Sequence, residues 1–502
     1  QGLYAREIID SRGVPTIECT LWLDNGAIVA TSVPTGTSVG KYEAHELRDN
    51  DPERMNGKGV LKAVEYINTT IAQALIGKDP TQQFEIDQLL VDLDGTSDKS
   101  KVGSNSILAV SQAVLKAGAL SLNVPLYYYI QQKYQLTKEL SMPSCIYTMI
   151  NGGSHGADNL DIQEFELIPA SHIDYETSLN IAVTLYHKIE EVLTLKGAIH
   201  STGIVGGFTP NLYSNTDVFE ILVETIKASP YTFAQDVFFG IDVAASELYK
   251  GGKYALKDRS EPYTAKEMVA YYKKLRDLYH VFYIEDPFQE DDLGSWQDIT
   301  HELGETTKIV GDSFLVTNKE KTAQAIKDNS CNAVLVKPNQ TGTISETMEV
   351  IRLAREANWQ VIISHRSGET NDDFIADFAV GVGADYTKFG PPARGERVAK
   401  YNRMLQIHQE ILHNQGGETK KTEQTPAETS EAETPTDAEA TPSKLAATPA
   451  PEPTPTPSLT PSPTEPATQA QPEPATPEPA QPPELPPIPD APLAPNKAES
   501  AT

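Results

Sequence analysis

The chain opens on alternating apolar and polar positions. REIIDSRG (6–13), PTIECTLWLDNG (15–26) and AIVATSVP (27–34) carry the two-residue period of half-buried strands, and Asp24-Asn25-Gly26 is a hairpin signal between the last two. The pattern then changes to helix. KGVLKAVEYINTTIAQALIG (58–77), closed by Gly77, and NSILAVSQAVLKAGALSLN (105–123), stopped before Pro125, predict two helices. Residues 1–128 thus predict a small α+β domain.

Over residues 136–414 short apolar runs recur, each ending on a polar residue. DVFFGID, VFYIED, KIVGD, AVLVK, QVIISH and DYTKF end at Asp242, at Glu285 or Asp286, and at Asp312, Lys337, His365 and Lys388. Apart from the first gap, their spacing is that of one strand plus one helix. Thr264-x-x-Glu267, Thr317-x-x-Glu320 and Thr343-x-x-Glu346 announce helices between them as capping boxes. Apolar strands with charged C-terminal ends, each followed by a capped helix, predict a (β/α)8 barrel whose chemistry gathers at one mouth. An open doubly wound sheet would need a glycine-rich phosphate turn after its first strand, and the sequence has none.

Composition breaks at Gly416-Gly417. Residues 416–502 hold 22 of the 36 prolines and no Phe, Tyr, Trp or Cys, and they predict a disordered, acidic Pro/Thr/Ala-rich tail, read as a spacer or tether. The formal charge of −29 across 502 residues argues against a nucleic-acid partner. Cys19, Cys145 and Cys331 stand far apart and form no CxxC pair, so neither a disulfide framework nor a zinc site is predicted and a reduced, cytoplasmic setting fits. No run of about 18 apolar residues predicts a membrane span, and the first residues do not read as a signal peptide.

Asp242, Glu285 and Asp312 end three successive strands, so a barrel brings their carboxylates to one mouth. One such acid alone reads equally well as a helix cap, but three in register form a hard oxygen set suited to Mg²⁺. Lys337 follows on an apolar strand, where desolvation and a neighbouring dication lower a lysine's pKa towards that of a base. His365-Arg366-Ser367 and Lys388 add donors and fixed charge for a phosphate and a carboxylate. Metal, base and anion clamp together point to proton abstraction next to a carboxylate.

At these residues the chain resembles the enolases, the phosphopyruvate hydratases. IIDSRGVPT, PTGTSVGKYEAHELRD, NGGSH, DIQEF, IEDPFQEDD, VGDSFLVTN, LVKPNQTGT, SHRSGET and AKYN carry the resemblance, which spans about residues 3–413. It implies an enolase-type barrel with Asp242, Glu285 and Asp312 on one Mg²⁺ and Ser38, on a closing loop, reaching a second. It implies Lys337 as the base that deprotonates 2-phosphoglycerate. Arg366 and Ser367 would hold the phosphate and Lys388 the carboxylate, His365 would also contact the substrate, and His155, Gln163 and Glu164 would line the side where hydroxide leaves. A homodimer or an assembly of dimers is also implied, and the resemblance admits display at the cell surface or secretion.

The turn STGIVGGFTPN (201–211) departs from the family. Enolases usually carry Asp-Glu where this chain has Ile204-Val205, and that glutamate donates the proton to the leaving hydroxyl. Glu164 is the nearest substitute, provided that desolvation keeps it protonated. Ser313 also replaces a usual Asp after Asp312. Three functions follow from the sequence: a working or weakened enolase, a non-catalytic enolase-like binding or surface protein, and, least favoured, a related lyase acting on another carboxylate.

Overall fold

The computed structural model describes residues 1–36 and 40–422, with side chains to Asn414. Ser38 and residues 423–502 lie outside the described residues. Strands β1 (Gly2–Ile9), β2 (Pro15–Trp22) and β3 (Ile28–Ser32) form an antiparallel sheet in that order, with Gly2 opposite Trp22 and Ile9 opposite Pro15. The first strand ends earlier than REIIDSRG predicts. Asp10 accepts the backbone N–H groups of Arg12 (2.8 Å) and Val14 (2.9 Å), closing a turn in place of strand.

The first predicted helix forms with an internal irregularity. It runs as α1 (Leu61–Tyr66), a π turn (Ile67–Ile71) and α2 (Ala72–Leu75). Within the π turn, Asn68 both donates to Ala5 O (2.9 Å) and accepts from Ala5 N, tying the widened turn to β1. Helices α3 (Gln83–Asp94), α4 (Ser104–Ser121) and α5 (Leu126–Tyr134) complete this part of the chain. α4, the second predicted helix, is buried along nearly its whole length, as a helix rich in Ala, Leu and Val should be.

The barrel elements are β4 (Ser144–Asn151), β5 (Glu164–Pro169), α6 (Tyr175–Leu195), α7 (Asn215–Lys227) and β6 (Val237–Asp242). A small hairpin, β7 (Tyr249–Lys250) and β8 (Lys253–Tyr254), precedes α8 (Ala265–Tyr279), β9 (Val281–Glu285), α9 (Leu293–Leu303) and β10 (Lys308–Gly311). Then come α10 (Lys319–Asp328), β11 (Ala333–Val336), α11 (Pro338–Thr341), α12 (Ile344–Glu356), β12 (Gln360–Ser364), α13 (Phe374–Gly381), β13 (Tyr386–Lys388) and α14 (Gly395–Thr422). α14 runs through Gly416-Gly417, the compositional break at which the tail was expected to begin.

The sheet closes in the order β10-β11-β12-β13-β4-β5-β6-β9. It departs from a regular (β/α)8 repeat because β5 is antiparallel to both neighbours, β4 and β6. That reversal matters for the site. It sets Glu164, the first residue of β5, opposite Asp242, the last residue of β6, so a strand start joins the other strands' ends at one mouth. Ile146, Ile168, Tyr283, Val310, Ala333, Leu335 and Ile362 form a separate buried cluster inside the barrel, while the larger core lies beneath the helices.

Two of the three predicted capping boxes are helix starts. Thr264 and Glu267 make a full box on α8, and Thr343 accepts Glu346 N at the start of α12. Thr317 is not a cap; Asn318 takes that place on α10. The Thr317 hydroxyl is engaged elsewhere, donating to Gln340 Oε1 (2.7 Å) and accepting Lys337 N (2.9 Å). Among the described residues no single helix is long and apolar enough to cross a membrane. All three cysteines are buried and unpaired.

Packing between β9 and β10 centres on Trp296 of α9. It is fully buried, stacks on Phe314 at 4.3 Å and donates its indole N–H to Gln289 O (3.2 Å). Trp296→Ala is expected to destabilise the fold by about 3–5 kcal/mol. The denaturation midpoint at unchanged m-value measures this, and a loss below about 1 kcal/mol would mean that neighbouring side chains collapse into the space.

Candidate active site

The eleven described candidates, His155, Gln163, Glu164, Asp242, Glu285, Asp312, Lys337, His365, Arg366, Ser367 and Lys388, line a single pocket at the barrel mouth. Asp242, Glu285 and Lys388 are the last residues of β6, β9 and β13, while Asp312, Lys337 and His365 directly follow β10, β11 and β12. The apolar runs therefore place their terminal charges as the sequence indicated. The choice between Glu285 and Asp286 is also resolved. Asp286, which follows β9 with φ 44° and also lines the pocket, accepts Asp312 N (2.9 Å) and Ser313 N (2.8 Å) and so fixes the backbone after β10. Burial, with Asp312 and Asp242 nearby, pushes Asp286 up to about 7.

Lys337 and Asp312 form the first pair. Lys337 Nζ lies 2.5 Å from Asp312 Oδ2, and Gln340 donates to Asp312 Oδ1 at 2.9 Å. Burial alone would raise the Asp312 carboxyl, but the Lys337 charge outweighs it and holds the group low.

Lys388 is the second centre. Its ammonium stands among four carboxylates, at 2.7 Å from Glu285, 2.9 Å from Glu166, 3.0 Å from Glu164 and 3.5 Å from Asp242. Burial pulls its pKa down and the four anions push it well above the usual lysine value. Glu285 shows the complementary effect. Burial and the proximity of Asp242 raise its carboxyl well above the ordinary range despite Lys388.

Glu164 has the environment of an anion. Desolvation would raise it, as the sequence suggests, yet Lys388 and the contact with His155 Nδ1 (3.0 Å) together hold it well below its usual value. The suggestion that desolvation keeps Glu164 protonated as the missing acid is corrected accordingly. Burial pushes Glu166, two residues along the same strand, up to about 8, with Lys388 pulling the other way.

The His365-Arg366-Ser367 segment is held from behind. Arg397 is fully buried and donates to Arg366 O (2.7 Å), Ser367 O (2.7 Å) and His365 Nδ1 (2.6 Å). Burial and the Arg397 charge keep His365 well below the ordinary histidine value, so its ring is neutral. Arg366 is buried and donates to Glu43 Oε2 (2.9 Å) and Asn339 Oδ1 (3.0 Å). Gly36 permits this placement, because a Cβ there would collide with the guanidinium. Gln163 donates to Asp242 Oδ2 (3.1 Å). Ser367 accepts from Arg12 Nη1 (3.3 Å).

The 201–211 turn carries Val205, 1% exposed, in the wall of this pocket. Its backbone is fixed on three sides. Ile204 N donates to His155 O (3.3 Å), Gly203 O accepts from Arg394 Nη1 (3.0 Å), and Gly206 O accepts from Tyr186 (2.8 Å). Gly206 has φ 109°, which only glycine adopts readily. The glycines thus hold an apolar side chain at a polar wall.

The donor set suits a hard dication: three carboxylates at neighbouring strand ends. Among the described residues no three acid, histidine or cysteine side chains are gathered into a metal-holding group, since Lys337 and Lys388 take the carboxylate oxygens.

The sequence reading missed Glu43, Glu166, Gln340 and Arg397. Glu166 alone left a signal, as a second acid on the same face of DIQEFEL.

Residues 1–130 match the family model described as enolase, N-terminal domain, and residues 139–424 match enolase, C-terminal TIM barrel domain. The chain is 44% identical over 405 residues to an enolase of Ehrlichia ruminantium (strain Welgevonden), covering 81% of this chain and 95% of that protein. It is equally 44% identical over 409 residues to an enolase of Ehrlichia canis (strain Jake), covering 82% and 96%.

Proposed function

The chain belongs to the enolase family, lyases of the phosphopyruvate hydratase type, and from that premise we propose that it interconverts 2-phosphoglycerate and phosphoenolpyruvate with a slowed leaving-group step. The observation that carries the slowing is Val205 in the pocket wall. Lys337, as the free amine, takes the proton from C2 and becomes the ammonium, and Asp312, 2.5 Å from its Nζ, holds it in place. Arg366 and Ser367 receive the phosphate and Lys388 the carboxylate. Asp242, Glu285 and Asp312 would hold Mg²⁺, which supplies, when bound, positive charge against the charge gathering on the substrate carboxylate. On the opposite side Val205 has no proton to give. His155 and the anionic Glu164 line that side, so departure of the hydroxyl is unassisted by a carboxylic acid.

A second reading, an enolase-like binding protein without turnover, is favoured by the same Val205. Solvent-deuterium incorporation at C2 of 2-phosphoglycerate, followed by NMR with Mg²⁺ and with chelator, separates the two. The enolase reading expects incorporation that chelator abolishes and Mg²⁺ restores. Absence of incorporation with Mg²⁺ present would overturn the enolase reading.

A further inference from the structure

Glu166 is a buried acid for which the reaction above has no use. On β5 the side chains of Glu164, Glu166 and Ile168 alternate towards the barrel interior; Glu164 lines the pocket and Ile168 belongs to the interior apolar cluster. Glu166 therefore stands one layer below the site, wholly buried. Neither of its oxygens receives a hydrogen bond from a hydroxyl, amide or backbone group among the described residues. Among the described residues its one close ion-pair contact is the Lys388 ammonium, at 2.9 Å.

The barrel leaves room for this contact. Glu166 lies opposite Gly240 on β6, and a Cβ at 240 would come within 2.6 Å of Glu166 Oε2. The other three acids around Lys388 have further partners: Glu285 accepts from Tyr283 (2.6 Å), Asp242 from Gln163 (3.1 Å), and Glu164 from Thr148 (3.2 Å). Glu166 would be stranded if Lys388 turned away from it, and a buried carboxyl without a partner is disfavoured whether or not it is ionised.

We propose that Glu166 is a positioning residue that holds the Lys388 ammonium down the barrel axis, in competition with the substrate's carboxylate, and so sets the affinity for that end of the substrate. The inference rests on the reading that Lys388 receives the carboxylate. The hold needs an acceptor oxygen at residue 166, which glutamine also supplies and methionine does not. A merely structural Glu166 would alter stability and leave ligand preference alone.

The test titrates phosphoenolpyruvate and, separately, inorganic phosphate into the full chain with Mg²⁺, by calorimetry. Glu166→Met is expected to bind phosphoenolpyruvate about 5- to 10-fold more tightly than the unaltered protein, as fits one charge-assisted contact released. Phosphate, assigned in this reading to Arg366 and Ser367 and not to Lys388, should bind all forms within about two-fold. Glu166→Gln should match the unaltered protein for both ligands, and Glu166→Leu replaces the methionine variant if that does not fold. Phosphoenolpyruvate affinity that is unchanged or weaker in the apolar variant, with phosphate binding intact, would overturn the proposal. Failure of the unaltered protein to bind phosphoenolpyruvate would instead overturn the enolase reading, and this inference with it.

Discussion

Val205→Glu is expected to raise dehydration of 2-phosphoglycerate by about 10²- to 10⁴-fold, the span of a restored general acid, or about 3–5 kcal/mol of barrier. The turn is already built for it. Arg394, Tyr186 and the His155 carbonyl fix the backbone on either side of residue 205, so a new carboxyl enters the pocket from a held position. The gain should appear in phosphoenolpyruvate formation and leave C2 exchange little changed, because the acid acts only on the leaving group. Val205→Gln, with similar bulk and no proton to give, should gain nothing comparable. Equal rates for Val205→Glu and the unaltered protein would contradict the missing-acid account.

Lys337→Met should abolish C2 exchange, with a loss of at least about 10²-fold expected for removal of a proton-transferring side chain. Asp312 keeps its Gln340 donor, and Asp286 still holds the Asp312 and Ser313 backbone, so the barrel mouth has independent support. A circular dichroism spectrum matching that of the unaltered protein would show that the loss is chemical. Exchange persisting in this variant would mean that another group removes the C2 proton, and the assignment of Lys337 would fall.

Much of this site was legible because an apolar strand that stops on a charge is conspicuous. One such end reads equally well as a helix cap; it is the succession of charged ends in register, VFFGID through AVLVK, that marks a site. The two strands that open the barrel were harder to read. SCIYTMIN is buried along almost all of its length and shows no period, and EFELIP carries two acids that look like a solvated face. Their antiparallel pairing is a tertiary fact, and only that pairing brings Glu164 beside Asp242. Electrostatics defeated the reading of Glu164 for the same reason. Burial is suggested by sequence, but Lys388, 224 positions away, reverses its effect. Thr317 satisfied a capping pattern, yet a nearby glutamine and a backbone N–H competed for its hydroxyl. Arg397 gave no signal at all. An arginine in the first turn of a helix looks exposed until the loop carbonyls that surround it are known.

The central claim is that the proton-abstraction half of the site is intact and the leaving-group half is impaired. One experiment in D₂O with Mg²⁺ addresses it directly, following deuterium at C2 of 2-phosphoglycerate by NMR and phosphoenolpyruvate by ultraviolet absorbance in the same sample. Exchange outrunning dehydration by about 10²-fold or more is the expected result. Phosphoenolpyruvate formed as fast as deuterium enters would contradict it, since the hydroxyl would then leave without hindrance from Val205.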